Sequence, residues 1–313
     1  MKLKSLNRAQ VEFGWLFALI IGAVIIFLAI FLAGKIFKTG TYLTETEILR
    51  NLDIILNPFT SVGSIASLTL SKPIDMPFMT EISVDCLLDP AGQKIMLSQI
   101  ENGKKSEPVS YTIKNKYIFS EKNFTKKEFW VFSKPLELPW RVDDLIYLVS
   151  DEYCFVNPPA NIGKELTIIN ASVITVDDCK DNAIKVCFNG ETSCGISVDY
   201  HTGAISYGTV RKSSFASDAL MYAAIFSDNS IYTCNVKRLL SRSAVQTNIF
   251  LGQAETLNDK GCDTASLISK LGQYQTALQT LLKSASISQI SGLANLANEI
   301  KDADSYNCPI IRK

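Results

Sequence analysis

A run of residues without charge, Trp15 to Ala33, constrains this chain more than any other feature. At about 1.5 Å per residue, a helix of this length spans close to 30 Å, the thickness of a bilayer's hydrocarbon core. A buried soluble helix is the alternative, but such runs near a chain terminus are typical of membrane spans. A cleaved secretory signal has a shorter apolar core and a small-residue cleavage site, whereas Gly34 and Lys35 follow here. The sequence therefore predicts a retained signal anchor within residues 1–40.

Charges on either side of this run predict its orientation. More basic residues precede it than follow it, so the positive-inside rule favours a cytoplasmic N-terminus, with the rest of the chain outside. The chain has 31 basic and 31 acidic residues, and residues 1–40 carry five basic residues and one acid. The remainder therefore has a small negative charge. Because such a surface is not attracted to phosphate backbones, we expect no nucleic-acid partner.

The residues that lead into the apolar run resemble a processing signal. Residues 8–13 read Arg-Ala-Gln-Val-Glu-Phe and are similar to the class III signal peptides of archaeal type IV pilin-like proteins. The resemblance implies cleavage between Ala9 and Gln10 and packing of the apolar helix into a filament core. Glu12 lies closer to Gln10 than the family's glutamate does. An ordinary anchor with Glu12 at the membrane interface is therefore an open alternative.

The chain as a whole resembles membrane-anchored proteins of small-genome archaea. Those proteins begin with similar Ala-Gln-Val-Glu-Phe anchors. They also carry stretches like residues 219–228, Ala-Leu-Met-Tyr-Ala-Ala-Ile-Phe-Ser-Asp. The resemblance implies an anchored surface protein and carries over no particular activity.

A short amphipathic helix is predicted within residues 41–63. Residues 44–47, Thr-Glu-Thr-Glu, fit a capping box, and an apolar stripe follows from Ile48 to Leu56. Asn57 and Pro58 end the pattern. We interpret this segment as a stalk that continues from the anchor.

From residue 64 to residue 212, apolar and polar residues alternate in short runs. Asn189-Gly190 and Thr202-Gly203 are turn dipeptides between such runs. The pattern predicts an antiparallel, sandwich-like β-region. The predicted strands include residues 82–88, 111–113, 130–132, 145–149, 166–176 and 184–188.

Two pairs of blocks in the β-region resemble each other in the same order. We interpret them as a duplicated β-module with two related copies, and chance similarity between proline-rich connectors is the alternative. Phe78 and Trp140 should then occupy equivalent buried sites. Cys86 and Cys154 should each bond a partner in their own module, or neither should. The matched blocks are residues 71–78 with 133–140, and 86–90 with 154–158.

The period of the apolar residues becomes helical after residue 213. This pattern predicts an antiparallel helical bundle over residues 213–313, and the chain is then of the α+β class. Leu271, Leu278 and Leu282 should face a shared core. The predicted helical segments lie within residues 219–226, 236–254, 267–282 and 290–300.

All eight cysteines follow the apolar run. An even number of cysteines on the outer side of an anchor predicts disulfides in an oxidising compartment. Cys187 and Cys194 flank the Asn189-Gly190 turn, so a hairpin would bring them together. Cys262 precedes one predicted helix and Cys308 follows the next, so a helical hairpin would bring these two together. The rest of the connectivity stays open.

Residue types suited to catalysis or metal binding are few. The single histidine, His201, lies in a turn, and the cysteine spacings lack the close pairs of structural zinc sites. Motifs such as Gly-x-Ser-x-Gly, His-Glu-x-x-His and the P-loop are missing from the sequence. We therefore predict no catalytic residue, metal site or cofactor. Lys237, Arg238 and Arg242 lie near each other on a predicted helix, and we interpret them as a solvated face.

These patterns favour a single-pass protein of the cell membrane with a structural or binding role at the cell envelope. Asn123 and Asn170 begin N-glycosylation sequons, which agrees with an outer location. The expected partners are the lipid bilayer and envelope or surface proteins, and a homo-oligomer formed through the anchor helix stays open. A pilin-like filament subunit and a membrane-tethered hydrolase are the alternatives.

Overall fold

The chain divides into two compact units, Met1–Leu52 and Asp53–Lys313. The predicted processing site at Ala9 and Gln10 and the predicted stalk helix within residues 41–63 lie outside the described residues. The computed structural model describes residues 14–32, 69–70, 73–88, 91–188, 194–208, 211–284, 287–304 and 308–311.

The described part of the first unit is one apolar helix, α1, from Gly14 to Leu32. Its 19 residues have a mean hydropathy of 3.0, and none of them is buried. Length and composition are those of a membrane span or a signal sequence. The prediction of an N-terminal apolar helix is confirmed.

The second unit begins with a sheet of long and short strands. The strands run in the order β4-β3-β2-β7-β8-β6, with β5 also beside β3 and β1 beside β7. Most neighbours are antiparallel, whereas β6 and β8 are parallel. The strands are β1 Thr69–Leu70, β2 Ile74–Leu88, β3 Ala91–Glu101, β4 Lys104–Lys105, β5 Val109–Ile113, β6 Tyr117–Phe119, β7 Asn123–Glu137 and β8 Arg141–Val149.

This first sheet is strongly curved. The side chain of Gln93 on β3 donates to the carbonyl of Ile118 on β6 at 2.7 Å and accepts from the Ile118 N–H at 2.6 Å. Three strands separate β3 from β6, so a flat sheet would hold them roughly 19 Å apart. The fully buried amide of Gln93 therefore bridges two parts of the sheet that curvature brings together.

A second sheet follows and has mixed strand directions. Its order is β10-β9-β11-β12-β13-β14. β9 pairs in parallel with both β10 and β11, and β11 pairs in parallel with β12. The expectation of an antiparallel β-region is therefore wrong for these pairs and holds for the pairs β12–β13 and β13–β14. The strands are β9 Tyr153–Val156, β10 Ile174–Val176, β11 Ile184–Phe188, β12 Ile196–Asp199, β13 Ala204–Tyr207 and β14 Arg211–Ser214.

A helix between β9 and β10 explains part of this difference. The predicted strand over residues 166–176 is wrong for residues 166–169, which belong to helix α2, Ala160–Ile169, and is confirmed only for its end, which forms β10. Ile162, Leu166 and Ile169 are buried at helical spacing. The helix starts after Pro159, whose fixed φ suits the entry to a helix. The resulting βαβ connection returns the chain parallel to β9.

The helices of the C-terminal part pack on the sheets. One cluster of buried apolar side chains joins residues of both sheets and of all these helices. Helix α3 is buried from Ala219 to Phe226 and contacts strands of both sheets. The prediction of helices in the C-terminal part is confirmed, and these helices share a core with the sheets. They are α3 Asp218–Phe226, α4 Asn229–Asp259, α5 Ala265–Lys283 and α6 Gly292–Ala303.

The predicted duplication fails in the structure. Residues 74–78 lie inside the long strand β2, whereas residues 133–137 end β7 and a turn follows them. Phe78 is 41% exposed. Trp140 is buried, and its ring lies 4.5 Å from that of Phe250. The two aromatic residues are not in equivalent sites, so the two blocks do not form the same structural unit.

The eight cysteines form four pairs at disulfide distance. Two of these pairs, Cys187–Cys194 and Cys262–Cys308, are those predicted from the sequence. Cys86 on β2 pairs with a cysteine of α4, whereas Cys154 pairs with one that follows β10. The two cysteines of the supposed repeat therefore differ in their partners, which corrects the expectation of equivalent bonding. The Cα separations are 6.0 Å for Cys86–Cys234, 5.4 Å for Cys154–Cys179, 6.0 Å for Cys187–Cys194 and 6.3 Å for Cys262–Cys308.

The pairing of Cys187 with Cys194 arises without the expected hairpin. β11 and β12 are parallel, with Cys187 aligned to Ser197. Residues 189–193, which include the predicted turn, lie outside the described residues. Cys194 comes just before β12, the neighbour of β11 in the sheet, and its Cα atom lies 6.0 Å from that of Cys187.

The polar face of α4 is buried against the first sheet. Arg238 is 6% exposed and donates to the carbonyls of Lys114 at 2.7 Å and Lys116 at 3.2 Å. Its guanidinium also lies 4.8 Å from the ring centroid of Tyr117. Asn235 donates to the carbonyl of Ile118 at 2.8 Å. The expectation of a solvated face is therefore wrong for Arg238, because this helix supplies hydrogen bonds that the strand ends lack.

Leu278 provides a test of the shared core. Leu271 and Leu278 on α5 are fully buried, and Leu282 is partly buried against the same core. We expect Leu278→Ala to lower the free energy of unfolding by about 3 kcal/mol, because the cavity cannot fully collapse. Leu282→Ala is the matched control and should have a clearly smaller effect. Unfolding of the full chain in detergent, followed by near-UV circular dichroism, measures both, and a loss below about 0.5 kcal/mol for Leu278→Ala would contradict the prediction.

Candidate functional site: a polar cleft at the histidine

A cleft of about 380 Å³ opens where a turn meets the N-termini of two helices. The turn joins β12 to β13 and contains His201, and the helix N-termini are those of α3 and α6. Polar side chains dominate the lining. The lining residues with side-chain polar groups are Tyr200, His201, Thr202, Ser217, Asp218, Ser291 and Asn295.

Hydrogen bonds fix the shape of the turn at one side of the cleft. The Asp199 carboxylate accepts from the N–H groups of His201 and Thr202, each at 3.1 Å. Hydrogen bonds from Thr202, followed by that from His201, lower the pKa of Asp199. Gly203 has φ +67°, and a Cβ there would clash with the carbonyl oxygen of Phe215. Only glycine therefore allows the turn to approach the entry to α3 this closely.

A hydrogen-bonded group of three side chains lies at the edge of the cleft. Tyr200 donates its phenol proton to Asp218 Oδ1 at 2.8 Å. The amide nitrogen of Asn161 on α2 lies 3.1 Å from the Tyr200 oxygen and 3.5 Å from Asp218 Oδ2. Burial, followed by the neighbouring carboxylate, raises the pKa of Tyr200. The group holds the Asp218 carboxylate in one orientation.

A second polar group lies one helical turn further along both helices. Glu165 follows Asn161 by four residues on α2, and Tyr222 follows Asp218 by four on α3. Tyr222 donates to Glu165 Oε2 at 3.1 Å, and Lys134 Nζ lies 2.5 Å from Glu165 Oε1. Burial, with the charge of Glu165 next, raises the pKa of Tyr222 well above its usual value. This group joins α2, α3 and β7 behind the cleft.

The lining of the cleft determines which ligands suit it. None of its described residues is a lysine or an arginine, and Asp218 contributes a carboxylate. Hydroxyl and amide groups supply both donors and acceptors. Such a lining suits a small neutral ligand with hydroxyl or amide groups better than a phosphate. His201 is exposed in the turn, and the Ser217 oxygen accepts a hydrogen bond from the Leu220 N–H as the N-cap of α3.

A second cavity of about 690 Å³ lies between the end of β2 and the N-terminus of α4. It borders the pair of Cys86 with Cys234, since Cys234 contributes to its wall. Leu88, which is 55% exposed, contributes an apolar side. The remaining wall is rich in hydroxyl groups. It includes Ser213, Ser214, Asp228, Asn229, Ser230, Thr233, Lys237, Ile287 and Ser288.

The other residues that the sequence singled out lie apart from this cleft. Asn123 and Asn170 are both exposed, at the start of β7 and the end of α2. The adjacent acids Asp143 and Asp144 on β8, which also lie apart from the cleft, contact different partners: Asp143 contacts Arg242 at 3.2 Å, and Asp144 contacts Arg141 at 2.7 Å. Among the described residues, no group of three or more His, Cys, Asp or Glu side chains lies close enough to hold a metal ion.

The side chains that hold the cleft together were missed by sequence reasoning. They are Asn161, Glu165, Asp218, Tyr222 and Lys134, which no motif connects. A signal existed in the spacing, since each helix carries two of them four residues apart. That spacing is common on solvated helices, so it identifies a site only once the helices are paired.

Comparison with known proteins gives no relative: no family model, curated protein or solved structure matches this chain.

Proposed function

We propose that this chain is a single-pass surface protein of the cell membrane, whose outer part has a structural or binding role at the cell envelope. The observation that carries the proposal is the set of four cysteine pairs at disulfide distance, all C-terminal to an apolar helix. Disulfides persist in oxidising compartments and are rare in the cytosol. With the positive-inside rule, they support an N-terminus inside and the second unit outside.

A binding role is supported by the character of the cleft at His201. Its carboxylate and hydroxyl groups are held by hydrogen bonds, which favours recognition of a polar partner group. The phenol of Tyr200 is engaged with Asp218, and His201 lies on the exposed turn. This arrangement orients a hydrogen-bond acceptor and does not align a nucleophile with a base, so we favour binding over hydrolysis.

The anchor is tested in intact cells that express the full chain. The protein should remain in the membrane after an alkaline wash, and external protease should digest its second unit. A variant with Ile21→Lys and Ile25→Lys should lose membrane retention, because each central lysine costs about 3 kcal/mol in a span. Ile168→Lys is the matched control, since Ile168 is 78% exposed on α2. Retention of the double variant, or protection of the second unit from protease, would contradict the proposal.

The oxidised state is tested by counting thiols. A thiol reagent should label no cysteine of the denatured, unreduced protein. After reduction it should label all eight cysteines. Finding most thiols free would overturn both the disulfides and the outer location. Intact mass from the same sample addresses the pilin-like alternative, since loss of residues 1–9 would favour a filament subunit. Crosslinking on intact cells, followed by identification of the bound proteins, then names the partner.

A further inference from the structure

Two polar side chains in the lining of the cleft at His201 have no partner within the protein. Ser291 and Asn295 line the cleft from the start of α6. Among the described residues, neither the Ser291 hydroxyl nor the Asn295 amide makes a side-chain hydrogen bond, and Ser291 is half-buried whereas Asn295 is exposed. A hydroxyl and an amide together supply both donors and acceptors. These two groups are therefore available to a ligand without any loss of internal hydrogen bonds.

The carboxylate of Asp218 adds an oriented acceptor to the same cleft. Tyr200 donates to its Oδ1 at 2.8 Å, whereas Oδ2 has the more distant amide nitrogen of Asn161, at 3.5 Å. An ionised carboxylate has about four lone-pair sites, so Asp218 retains capacity for a further hydrogen bond. Since an ionised carboxylate only accepts, the ligand group that meets it must be an O–H or N–H donor.

The rest of the lining has small side chains and apolar groups. Gly203, Ala216, Gly292 and Ala294 contribute to it, and the ring of Tyr200 adds an apolar face. A ligand with C–H groups on its faces and hydroxyl groups at its rim matches this mixture, and a pyranose ring has that form. None of the lining residues belongs to a strand, so a peptide cannot bind here by strand addition.

We propose that the cleft binds a neutral sugar ring. The inference rests on the proposed function, because it names the ligand class of the binding site proposed there. The cleft volume of about 380 Å³ lies at the lower end of the range for small-molecule pockets, about 300–1,000 Å³, which suits one or two sugar rings. Neighbouring ring hydroxyls donate to Asp218 and accept from Asn295, which a phosphate cannot do. Because no lysine or arginine lines the cleft, a phosphorylated or sulfated sugar is disfavoured.

Saturation-transfer difference NMR on the full chain tests this proposal. A zwitterionic detergent without a sugar headgroup keeps the protein soluble, and the probes are the methyl glycosides of glucose, mannose, galactose and N-acetylglucosamine. We expect at least one probe to bind with a Kd on the order of 1 mM. Asn295→Leu should weaken this binding about tenfold, because it removes hydrogen bonds to the ring. Asp218→Asn should also weaken it, because an amide is a poorer acceptor than a carboxylate.

Asn298→Leu is the matched control for the cleft variants. Asn298 is exposed on α6 and lies outside the cleft, so its replacement should leave the affinity unchanged. Loss of binding in Asn295→Leu with unchanged binding in Asn298→Leu supports the proposal. If none of the four glycosides binds, or if Asn295→Leu binds as well as the parent, the proposal is overturned. Binding of a triserine peptide without binding of any glycoside also overturns it and assigns the cleft to a peptide.

The source of the sugar is distinguished by ligand length. Trisaccharides of glucose and of N-acetylglucosamine are compared with the single rings: tighter binding supports a glycan polymer as the ligand, and equal binding supports a single sugar. Protease treatment of intact cells separates this proposal from the proposed function. A second unit that is digested but binds no sugar overturns the sugar proposal alone, whereas a protected second unit overturns the outer location itself.

Discussion

Removal of the Cys86–Cys234 pair is expected to destabilise the second unit by about 5 kcal/mol. The bond closes a loop with a sequence separation of 148 residues, and the entropy that such a link removes from the unfolded chain grows with loop length. It also ties β2 of the first sheet to α4, next to the buried contacts of Asn235 and Arg238. We therefore expect both lower stability and faster amide exchange in the N-terminal half of α4.

The matched control is the Cys187–Cys194 pair, whose sequence separation is 7. Its removal should lower the free energy of unfolding by about 2 kcal/mol on the same reasoning. Each pair is replaced by two alanines in its own double variant. Unfolding of the full chain in detergent is then followed by near-UV circular dichroism without reductant. Equal losses for the two double variants would refute the loop-length argument. A loss below about 1 kcal/mol for the long loop would mean that the unfolded chain is already compact there.

The elements that the sequence predicts well are those whose pattern is local. The apolar run of α1, the alternation in β2 and the apolar runs of β8 and β11 need no distant information. The same holds for the stripe of α5, in which Leu271 and Leu278 are buried as expected. The first part of the strand predicted over residues 166–176 is wrong because β-branched residues also occur in α2, where the helical spacing of Ile162, Leu166 and Ile169 is the stronger signal.

Strand direction and helix placement could not be predicted, because they depend on distant partners. Arg238 illustrates this point: on its own helix it resembles a solvated residue, and it is buried because the carbonyls of Lys114 and Lys116 need donors. The similar sequences of the two blocks likewise do not give similar structures, since Phe78 is exposed and Trp140 is buried. The polar cleft likewise depends on residues that are distant in the sequence, because Asn161 and Asp218 come together only when α2 lies beside α3.

Loss of the Lys134 side chain should destabilise the second unit by about 3–5 kcal/mol, because it leaves the Glu165 carboxylate buried without its cation. The side chains of Lys134 and Glu165 are only 9% and 12% exposed. In Lys134→Met the hydrogen bond from Tyr222 to Glu165 remains, and a neutral phenol only partly replaces the charge. The double variant Lys134→Met with Glu165→Leu should recover most of this stability, since removal of both charges also removes their desolvation penalty.

An exposed ion pair in the same unit is the control for this double-mutant cycle. Lys270 and Glu299 link α5 to α6 at 2.6 Å, with side chains that are 33% and 47% exposed. Lys270→Met should change the free energy of unfolding by less than about 1 kcal/mol, because solvent already screens the pair. Denaturant unfolding of the full chain compares Lys134→Met, Glu165→Leu, their double variant and Lys270→Met under the same conditions. If Lys134→Met were as mild as Lys270→Met, the Lys134–Glu165 pair would not be an energetic link between β7 and α2, and the cleft in front of it would be less rigid than its hydrogen bonds imply.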